Sequence, residues 1–592
     1  MDRLTKKLSD SKWALATLLG LILYGKSLFL LFTLYEVSVR VVLLSLLSIA
    51  PIALVVSFIF LFAGRGRWKY FFLVNVFFSV LFYADMVYFK GLNQLFSVYV
   101  LYIKNISFDF GSSASGYFMS YDFVVLLDLP VFLLMLRKSR IYEKEQTLKP
   151  QWGGALLRRT RFAVALTLSG LLMATQVMAV SGVEDMENFE NHALLLSPVG
   201  NHLVNMASFV AEKVMNLTED DRAEIRDWFE ANAQNLTADE THAEDFGVLK
   251  GKNIVVLHFE SLENFVLQET ADGQEITPNL NRILKESYFF SGVREQVREG
   301  TSSDTELMFN TGLYPTQKGS AFMSYAENTY FALPKLLKSQ GYATMTLHGD
   351  DAKFWNRDVM YPTLGIERYI DESLFEDKRY SGLGILDESL FQQSLLEIGR
   401  TKEPFYSYIM TVTSHTPFNL EEEYRYLGLP GDTADAGYLE SIHYTDYHFG
   451  KFYEELKKKG LLENTAFVIF GDHEGIHKYH ETELPENDKK IPFIVHVPGM
   501  KGEEIDRIGG QIDMLPTLLY LLGEEESTYG DKVMGTNLFH PGTGSVILAS
   551  GEIIGDPEDP VHLQQAGILA NKILAGDYFK PLVEDASSSL DD

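Results

Sequence analysis

The sequence of 592 residues predicts two parts: a membrane domain of five helices, followed by an α/β domain with a largely parallel central sheet. Three observations predict this fold class. Long apolar runs fill residues 1–180. The same region carries 19 Lys+Arg against 9 Asp+Glu, whereas the remainder carries 32 against 71 and is strongly acidic. From Lys252 onward, apolar runs of strand length alternate with helical patterns.

Five apolar runs define the predicted membrane domain. A helix needs about 20 mostly apolar residues to cross a bilayer, and every run except the fourth is near that length. The fourth run is short and contains Asp128 and Pro130. The runs extend from Trp13 to Tyr35, Val41 to Ala63, Tyr70 to Phe89, Phe123 to Leu136 and Phe162 to Val180.

Basic residues are concentrated in alternate links between these runs. Because cytoplasmic loops carry the excess of Lys and Arg, this pattern predicts five spans with the N-terminus inside the cell. Everything after Val180 is then extracellular. The basic residues lie in the N-terminal tail (Arg3, Lys6, Lys7, Lys12), the second-to-third link (Arg65, Arg67, Lys69) and the fourth-to-fifth link (Arg137, Lys138, Arg140, Lys144, Lys149, Arg158, Arg159, Arg161).

Lys26 lies near the middle of the first apolar run, where a charge is costly. Two interpretations follow. The long side chain reaches the interface, or it pairs with Asp85 or Asp128 of a neighbouring span or guides an anionic lipid headgroup.

The composition excludes several classes of function. The chain contains no cysteine, which rules out a disulfide framework, cysteine-based catalysis and cysteine-ligated zinc. The outer part, of about 400 residues, is large enough to bury a core without disulfides. Its acidic balance provides no basic surface for nucleic acid.

Residues 181–250 are predicted to form a membrane-proximal helix and a solvated linker, in which Thr218 and Asp221 have capping-box spacing. The α/β domain is predicted over residues 251–592. Helices are expected over Thr329–Gln340, Tyr444–Lys459 and the segment QIDMLPTLLYLLG. Strands are expected over Asn253–His258, Ala343–Leu347, Phe405–Val412, Ala466–Phe470 and Pro492–Val497.

Residues that suit metal binding or catalysis follow the ends of these strands. GDHEGIH places Asp472 and His473 after one strand, and KNIVVLHFESLE places Glu260 after another. Ligands bind at the carboxyl ends of strands in open sheets, and carboxylates with an imidazole suit a divalent metal. REGTSSDTELMFNTGLYP places Thr301 at a helix start, where backbone N–H groups favour phosphate oxygens. By chemistry alone, Ser302 and Ser303 are rival nucleophiles.

Together these segments resemble the lipoteichoic acid synthase family, membrane-anchored phosphoglycerol transferases of the alkaline phosphatase and sulfatase superfamily. The resemblance implies a metal-dependent enzyme with a sulfatase-like catalytic domain. It selects Thr301 as the nucleophile and carries the family's metal ligands over to Glu260, Thr301, Asp472 and His473. It implies Mn²⁺, and Mg²⁺ or Zn²⁺ also suits these donors.

The segment LHGDDAKFWNRD resembles the family's headgroup-binding stretch. A glycerol phosphate pocket is thereby implied, lined by His348, Asp350, Trp355 and Arg357. TVTSHTPF adds His415, which would protonate the diacylglycerol oxygen or bind phosphate. Two alternatives stay open: Trp355 packs, and Arg357 pairs with Asp358 or another carboxylate. Where the family often has an aromatic residue after the Asp-His pair, this chain has Glu474.

The implied function is lipoteichoic acid synthesis for the Gram-positive cell wall. Phosphoglycerol would pass from phosphatidylglycerol, through a glycerophospho-threonine intermediate, to a growing polyglycerolphosphate chain, with release of diacylglycerol. The alternatives are a primase acting on a glycolipid anchor, a phosphoethanolamine transferase and a non-catalytic membrane-anchored binding module. Sulfatase activity is disfavoured because the C/S-x-P-x-R motif is absent, and an alkaline phosphatase-like site would need more metal ligands.

Overall fold

The protein is described here by a computed structural model. It covers residues 5–6, 8, 11–34, 49–62, 65–92, 95–98, 119–146, 154–180, 189–213 and 215–580. The chain divides into two compact units, with the boundary between Glu212 and Lys213.

The described part of the first unit is helical. Two of its helices contain segments long and apolar enough to cross a membrane, Trp13–Leu34 and Gly66–Lys90. The helices are α1 (Lys12–Leu34), α2 (Ile49–Ser57), α3 (Arg65–Leu92), α4 (Leu129–Gln146), α5 (Gly154–Val180) and α6 (Phe189–Lys213), the last with a kink at Ser197 and Pro198.

The apolar runs and these helices agree in place but not always in length. The second run forms α2 and a 3₁₀ turn over Phe58–Leu61, and its first part lies outside the described residues. The fourth run is broken into a 3₁₀ segment, Ser120–Leu126, and α4. Pro130 is the second residue of α4, where the missing N–H costs nothing. The prediction of five membrane spans remains a prediction.

Lys26 is paired inside the helix bundle. Its ammonium donates to Asp128 Oδ1 at 2.8 Å, to Asn75 Oδ1 at 2.9 Å and to Ser79 Oγ at 2.5 Å. The pairing prediction is confirmed for Asp128 and is wrong for Asp85, which instead lies 2.8 Å from His202 Nε2. A buried charge between apolar helices is tolerated because it has a counter-charge and further hydrogen bonds.

The second unit is built on an eight-stranded sheet of order β8-β2-β7-β6-β1-β5-β3-β4, in which β7 runs antiparallel to its neighbours. The strands are β1 (Asn253–Phe259), β2 (Ser287–Phe290), β3 (Ala343–His348), β4 (Arg368–Ile370), β5 (Phe405–Met410), β6 (Thr465–Gly471), β7 (Phe493–His496) and β8 (Glu503–Ile505).

Helices cover both faces of this sheet, so β1 is buried on either side. Ile254 and Val256 belong to one apolar cluster, and Val255 and Leu257 belong to the other. The helices are α7 (Glu219–Asn232), α8 (Pro278–Leu284), α9 (Ser302–Thr311), α10 (Ala321–Ser324), α11 (Leu333–Ser339), α12 (Arg357–Leu364), α13 (Asp387–Ile398), α14 (Ala434–Lys458), α15 (Ile476–Tyr479), α16 (Met514–Leu522) and α17 (Pro560–Ala575).

Most predicted elements are confirmed, including the capping box of Thr218 and Asp221 at the start of α7. Three bounds are wrong. Helix α11 begins at Leu333, four residues after the predicted start at Thr329, because Pro334 fits only the first turn of a helix. Helix α14 begins at Ala434, ten residues before the prediction, because the Thr433 hydroxyl caps it by accepting from Ala436 N. Strand β5 ends at Met410 instead of Val412, whose N–H donates to Asp387 Oδ1 outside the sheet.

The register of the central strands brings their carboxyl ends to one level. His258 of β1 lies opposite Phe470 of β6 and Met410 of β5, and Met410 lies opposite His348 of β3. Residues that directly follow these strands therefore meet at one edge of the sheet.

Candidate active site

Three buried side chains meet at this edge. Glu260 follows β1, and Asp472 and His473 follow β6. One ligand atom from each lies within 4.8 Å of the others, a spacing at which a single cation can contact all three. The structure thus brings together three of the four predicted metal ligands.

The two oxygens of the Asp472 carboxylate differ in their hydrogen bonds. Oδ1 accepts from Ser261 N at 2.7 Å and from His473 N at 2.9 Å. Oδ2 lies 3.2 Å from His258 Nε2, but it receives no well-formed hydrogen bond from any described residue. A fully buried carboxylate oxygen without a donor is the arrangement expected where a cation binds.

The protonation states of His473 and Glu260 are also compatible with a bound cation. The His473 Nδ1–H donates to Glu474 O at 2.8 Å, so the Nε2 lone pair is free to bind metal, and it lies 3.8 Å from Glu260 Oε1. Burial lowers the pKa of His473 to about 4, which keeps the imidazole neutral. Burial and the Asp472 charge raise the pKa of Glu260, a repulsion that a bound cation would relieve.

Thr301 lies at the start of α9 in a strained backbone conformation. Its φ is 42° and its ψ is −119°, values that a β-branched residue rarely adopts. Its side chain is almost fully buried and makes no capping hydrogen bond. Ser303 is removed as a rival nucleophile because its hydroxyl is buried and engaged with Gly300 O at 2.6 Å and Ser320 Oγ at 2.8 Å. Ser302, half-buried, stays a rival.

Two residues that the sequence analysis missed connect α9 to the candidate metal ligands. Thr305 Oγ1 donates to Asp472 O at 2.7 Å, and Gln511 Nε2 donates to the same carbonyl at 2.5 Å and to Thr305 Oγ1 at 2.8 Å. Thr305 N in turn donates to Thr301 O at 3.3 Å. The first turn of α9 is therefore anchored directly to a predicted metal ligand.

The sequence analysis also missed His258, although a pattern in the sequence indicates it. A polar residue that interrupts an otherwise apolar strand, one position before its end, is a candidate for the same edge of the sheet. The imidazole is fully buried between Tyr408 OH, at 2.8 Å from Nδ1, and the Asp472 carboxylate. Its Nε2 therefore lies next to the candidate metal ligands.

The predicted pocket residues cluster at the neighbouring strand ends. His348 closes β3, and its Nδ1–H donates to Met410 O at 3.1 Å. Burial, with the Arg357 charge, holds the pKa of His348 well below its usual range, so Nε2 is an acceptor. Burial likewise lowers the pKa of His415, whose Nδ1 lies 2.7 Å from Thr416 O. Burial raises the pKa of Asp350 to about 6.

Trp355 is buried in an unusual turn. Trp355 and Asn356 have φ values of 55° and 59°, so two consecutive residues adopt the left-handed conformation just before α12. Neither residue is a glycine, and such strain persists only when surrounding contacts impose it. Trp355 as a whole is only 9% exposed.

Arg357 does not pair with Asp358. Its guanidinium donates through Nε and Nη2 to Glu306 Oε1 at 3.0 and 2.8 Å, and Tyr361 OH donates to Glu306 Oε2 at 2.5 Å. Glu306 lies on α9, so this ion pair links α12 to the helix of the predicted nucleophile. Arg357 Nη1 is buried and has no hydrogen-bond acceptor among the residues described.

Comparisons with known proteins agree with this geometry. Residues 252–524 match the profile of the sulfatase family, and residues 1–195 match the profile described as lipoteichoic acid synthase N-terminal domain. The lipoteichoic acid synthase of Staphylococcus aureus is 29% identical over 533 residues, which cover 85% of this chain and 80% of that protein. The chain belongs to the lipoteichoic acid synthase family.

A solved protein that is named as a lipoteichoic acid synthase has a similar fold. The crystal structure of the lipoteichoic acid synthase LtaP from Listeria monocytogenes superposes with a TM-score of 0.52 at 26% identity. The match covers 59% of this chain and 98% of LtaP. The resemblance inferred from the strand-end motifs is confirmed for the family and for the sulfatase-like domain.

Glu474, the departure from the common lipoteichoic acid synthase pattern, is held by a local network. Its carboxylate accepts from Lys489 N at 3.0 Å and Asn487 Nδ2 at 3.3 Å, and Lys489 Nζ lies 3.4 Å away. Its N–H donates to Glu295 Oε2 at 2.7 Å. Burial raises the pKa of Glu474, and these contacts order the segment that follows His473.

Replacing Arg357 with methionine is expected to destabilise the second unit by about 3–5 kcal/mol. The substitution leaves the fully buried Glu306 charge without a counter-charge. Arg368→Met is the matched control, since Arg368 contacts Glu397 at 2.6 Å but is 53% exposed, and we expect a loss below about 1 kcal/mol. Equal midpoints of denaturant unfolding for the two variants would contradict the structural role of the Arg357 pair.

Proposed function

We propose that this chain is a lipoteichoic acid synthase that transfers phosphoglycerol from phosphatidylglycerol to a growing polyglycerolphosphate chain and releases diacylglycerol. The observation that carries the proposal is the anchoring of the Thr301 helix to Asp472 through Thr305. We assign residues 1–180 to a five-span membrane domain, 181–250 to a membrane-proximal helix and linker, and 251–592 to an extracellular catalytic domain.

Glu260, Thr301, Asp472 and His473 are proposed to hold one divalent cation. Asp472 Oδ2, which receives no well-formed hydrogen bond from the described residues, and the Nε2 lone pair of His473 fit that role. Mn²⁺ is proposed on the resemblance, and Mg²⁺ or Zn²⁺ also suits two carboxylates with one imidazole. When bound, the cation supplies positive charge that favours an alkoxide and offsets the charge of a phosphate group.

The reaction is proposed to proceed in two displacements at phosphorus. In the first, Thr301 Oγ forms a bond to phosphorus, and the bond from phosphorus to the diacylglycerol oxygen breaks. The proton lost by Thr301 reaches the leaving oxygen by way of His415, whose lowered pKa leaves Nε2 ready to accept it. In the second, a glycerol oxygen of the acceptor chain forms a bond to phosphorus, the bond from phosphorus to Thr301 Oγ breaks, and the proton lost by the acceptor hydroxyl restores the Thr301 hydroxyl.

The remaining pocket residues are proposed to bind the phosphoglycerol headgroup. His348 Nε2 and the Asp350 carboxylate accept from glycerol hydroxyls, and the Trp355 indole forms an apolar wall. Arg357 Nη1 donates to a phosphate oxygen, while Nε and Nη2 donate to Glu306. Arg357 therefore has both the structural role described above and a proposed binding role.

The test of this function is diacylglycerol release by the full chain in liposomes that contain fluorescent phosphatidylglycerol and Mn²⁺. We expect release together with polyglycerolphosphate products, and complete loss of both after chelation by EDTA. Release that requires an added glycolipid and stops after one transfer would favour the primase. Turnover of phosphatidylethanolamine instead of phosphatidylglycerol, or no turnover of either, would overturn the proposal.

The proposed orientation can be tested by single-cysteine labelling, because the natural chain contains no cysteine. Ser527 is exposed in the second unit, and Lys69 is exposed in the link between the second and third apolar runs. In intact cells, a membrane-impermeant maleimide is expected to label Ser527→Cys but to label Lys69→Cys only after permeabilisation. Labelling of both variants in intact cells would contradict the orientation.

A further inference from the structure

A concave groove runs along the first unit between α1, α2 and α5. Its volume is about 700 Å³, and its walls are almost entirely apolar. Many lining side chains are open to the surroundings, among them Leu21 and Leu168, which are 63% and 57% exposed. The lining includes Ala16, Leu21, Ile52, Val56, Val164 and Leu168.

The two ends of the groove differ. One end contains Trp13, Phe60 and Arg161, and the Trp13 and Phe60 rings lie 4.7 Å apart. The other end contains Tyr24 and Leu172. Tyr24 is eleven positions after Trp13 on α1, a rise of roughly 16 Å along the helix. This length is close to half of the ~30 Å hydrocarbon core, so the groove matches the acyl region of one leaflet.

Arg161 is the cation at the aromatic end of the groove. It is half-buried, and it makes no hydrogen bond or ion pair with the part of the chain that the structure describes. The planar guanidinium matches a phosphate group through two parallel hydrogen bonds. A cation that has no counter-charge among the described residues, at the same end of the groove as an indole, is complementary to an anionic headgroup, because indoles prefer the membrane interface.

We propose that this groove binds one anionic phospholipid of the cytoplasmic leaflet, with an acyl chain along α1, α2 and α5 and the phosphate on Arg161. The leaflet rests on the orientation proposed above, which places the N-terminal end of α1 inside the cell. This lipid is a bound component of the membrane domain. It is separate from the phosphatidylglycerol that is proposed to react outside the cell.

The test is lipid retention by the full-length protein in native mass spectrometry, with phosphatidylserine and phosphatidylcholine of equal chain length as probes. Phosphatidylserine is anionic and lacks the glycerol headgroup of the proposed substrate. We expect one retained phosphatidylserine per chain and a preference of about fivefold over phosphatidylcholine, as one Arg near a membrane surface provides. Arg161→Gln should abolish that preference. Leu168→Trp should reduce retention of both lipids because the indole fills the groove.

Each variant has a matched control on α5. Arg159 is exposed and does not line the groove, so Arg159→Gln should keep the preference. Leu171 is 59% exposed and also outside the lining, so Leu171→Trp should keep retention. The proposal would be overturned if a variant and its control had the same lipid preference or the same lipid retention. A dimer that binds no lipid and whose subunits contact each other through the groove would also overturn it. Diacylglycerol release is measured separately, so its failure would count against the proposed function only.

Discussion

Thr301→Ala is expected to lower diacylglycerol release at least about 10³-fold, as loss of a nucleophile does in other hydroxyl-dependent transfer enzymes. The reason is that Thr301 lies at a helix start in a strained backbone conformation, and its helix is anchored to the Asp472 carbonyl through Thr305. The fold should persist, because the Thr301 side chain caps no backbone group. The measurement is initial rate in phosphatidylglycerol liposomes, together with the thermal unfolding midpoint.

Ser302→Ala is the control that makes this result decisive. Ser302 is the first residue of α9, is half-buried, and is the remaining rival nucleophile. We expect this variant to keep most of the wild-type rate. If Ser302→Ala is inactive while Thr301→Ala turns over, the nucleophile is Ser302 and the assignment of Thr301 is wrong.

Asp472→Asn is expected to remove the bound metal and to reduce turnover by a similarly large factor. An asparagine keeps an oxygen for Ser261 N and His473 N, so the local fold is retained, but the negative charge that attracts a cation is lost. Elemental analysis should find about one metal ion per chain in the wild type and almost none in the variant.

Asp446→Asn serves as the matched control for the metal measurement. Asp446 is equally buried, but its carboxylate accepts from Asn279 N and Leu280 N at the start of α8, away from the cluster. Its substitution is expected to lower stability and to leave the metal content unchanged. A wild-type protein with two metal ions per chain, or with none, would contradict the single-cation site.

The elements that the sequence predicted well are those whose burial is encoded locally. The bounds of β1 and β6 were predicted to within one residue. A short, uninterrupted apolar run bounded by polar residues is compatible with few structures other than a buried strand. The short edge strands β4 and β8 were not predicted, since three residues carry no recognisable period. The start of α14 was missed because a capping hydroxyl, Thr433, outweighed the loop-like composition around it.

By itself, the sequence determined the family, the central strands and the three acidic and imidazole groups that follow them. Only the tertiary structure decided which of these groups touch. Thr305 and Asp472 lie 167 positions apart, and Arg357 and Glu306 lie 51 apart. Contacts over such separations depend on the register of parallel strands and on the packing of α9 and α12, and no local pattern encodes either. For the same reason, the partner of Lys26 was predicted only as one of two aspartates, and the packing of α1 against α3 and the start of α4 selected Asp128.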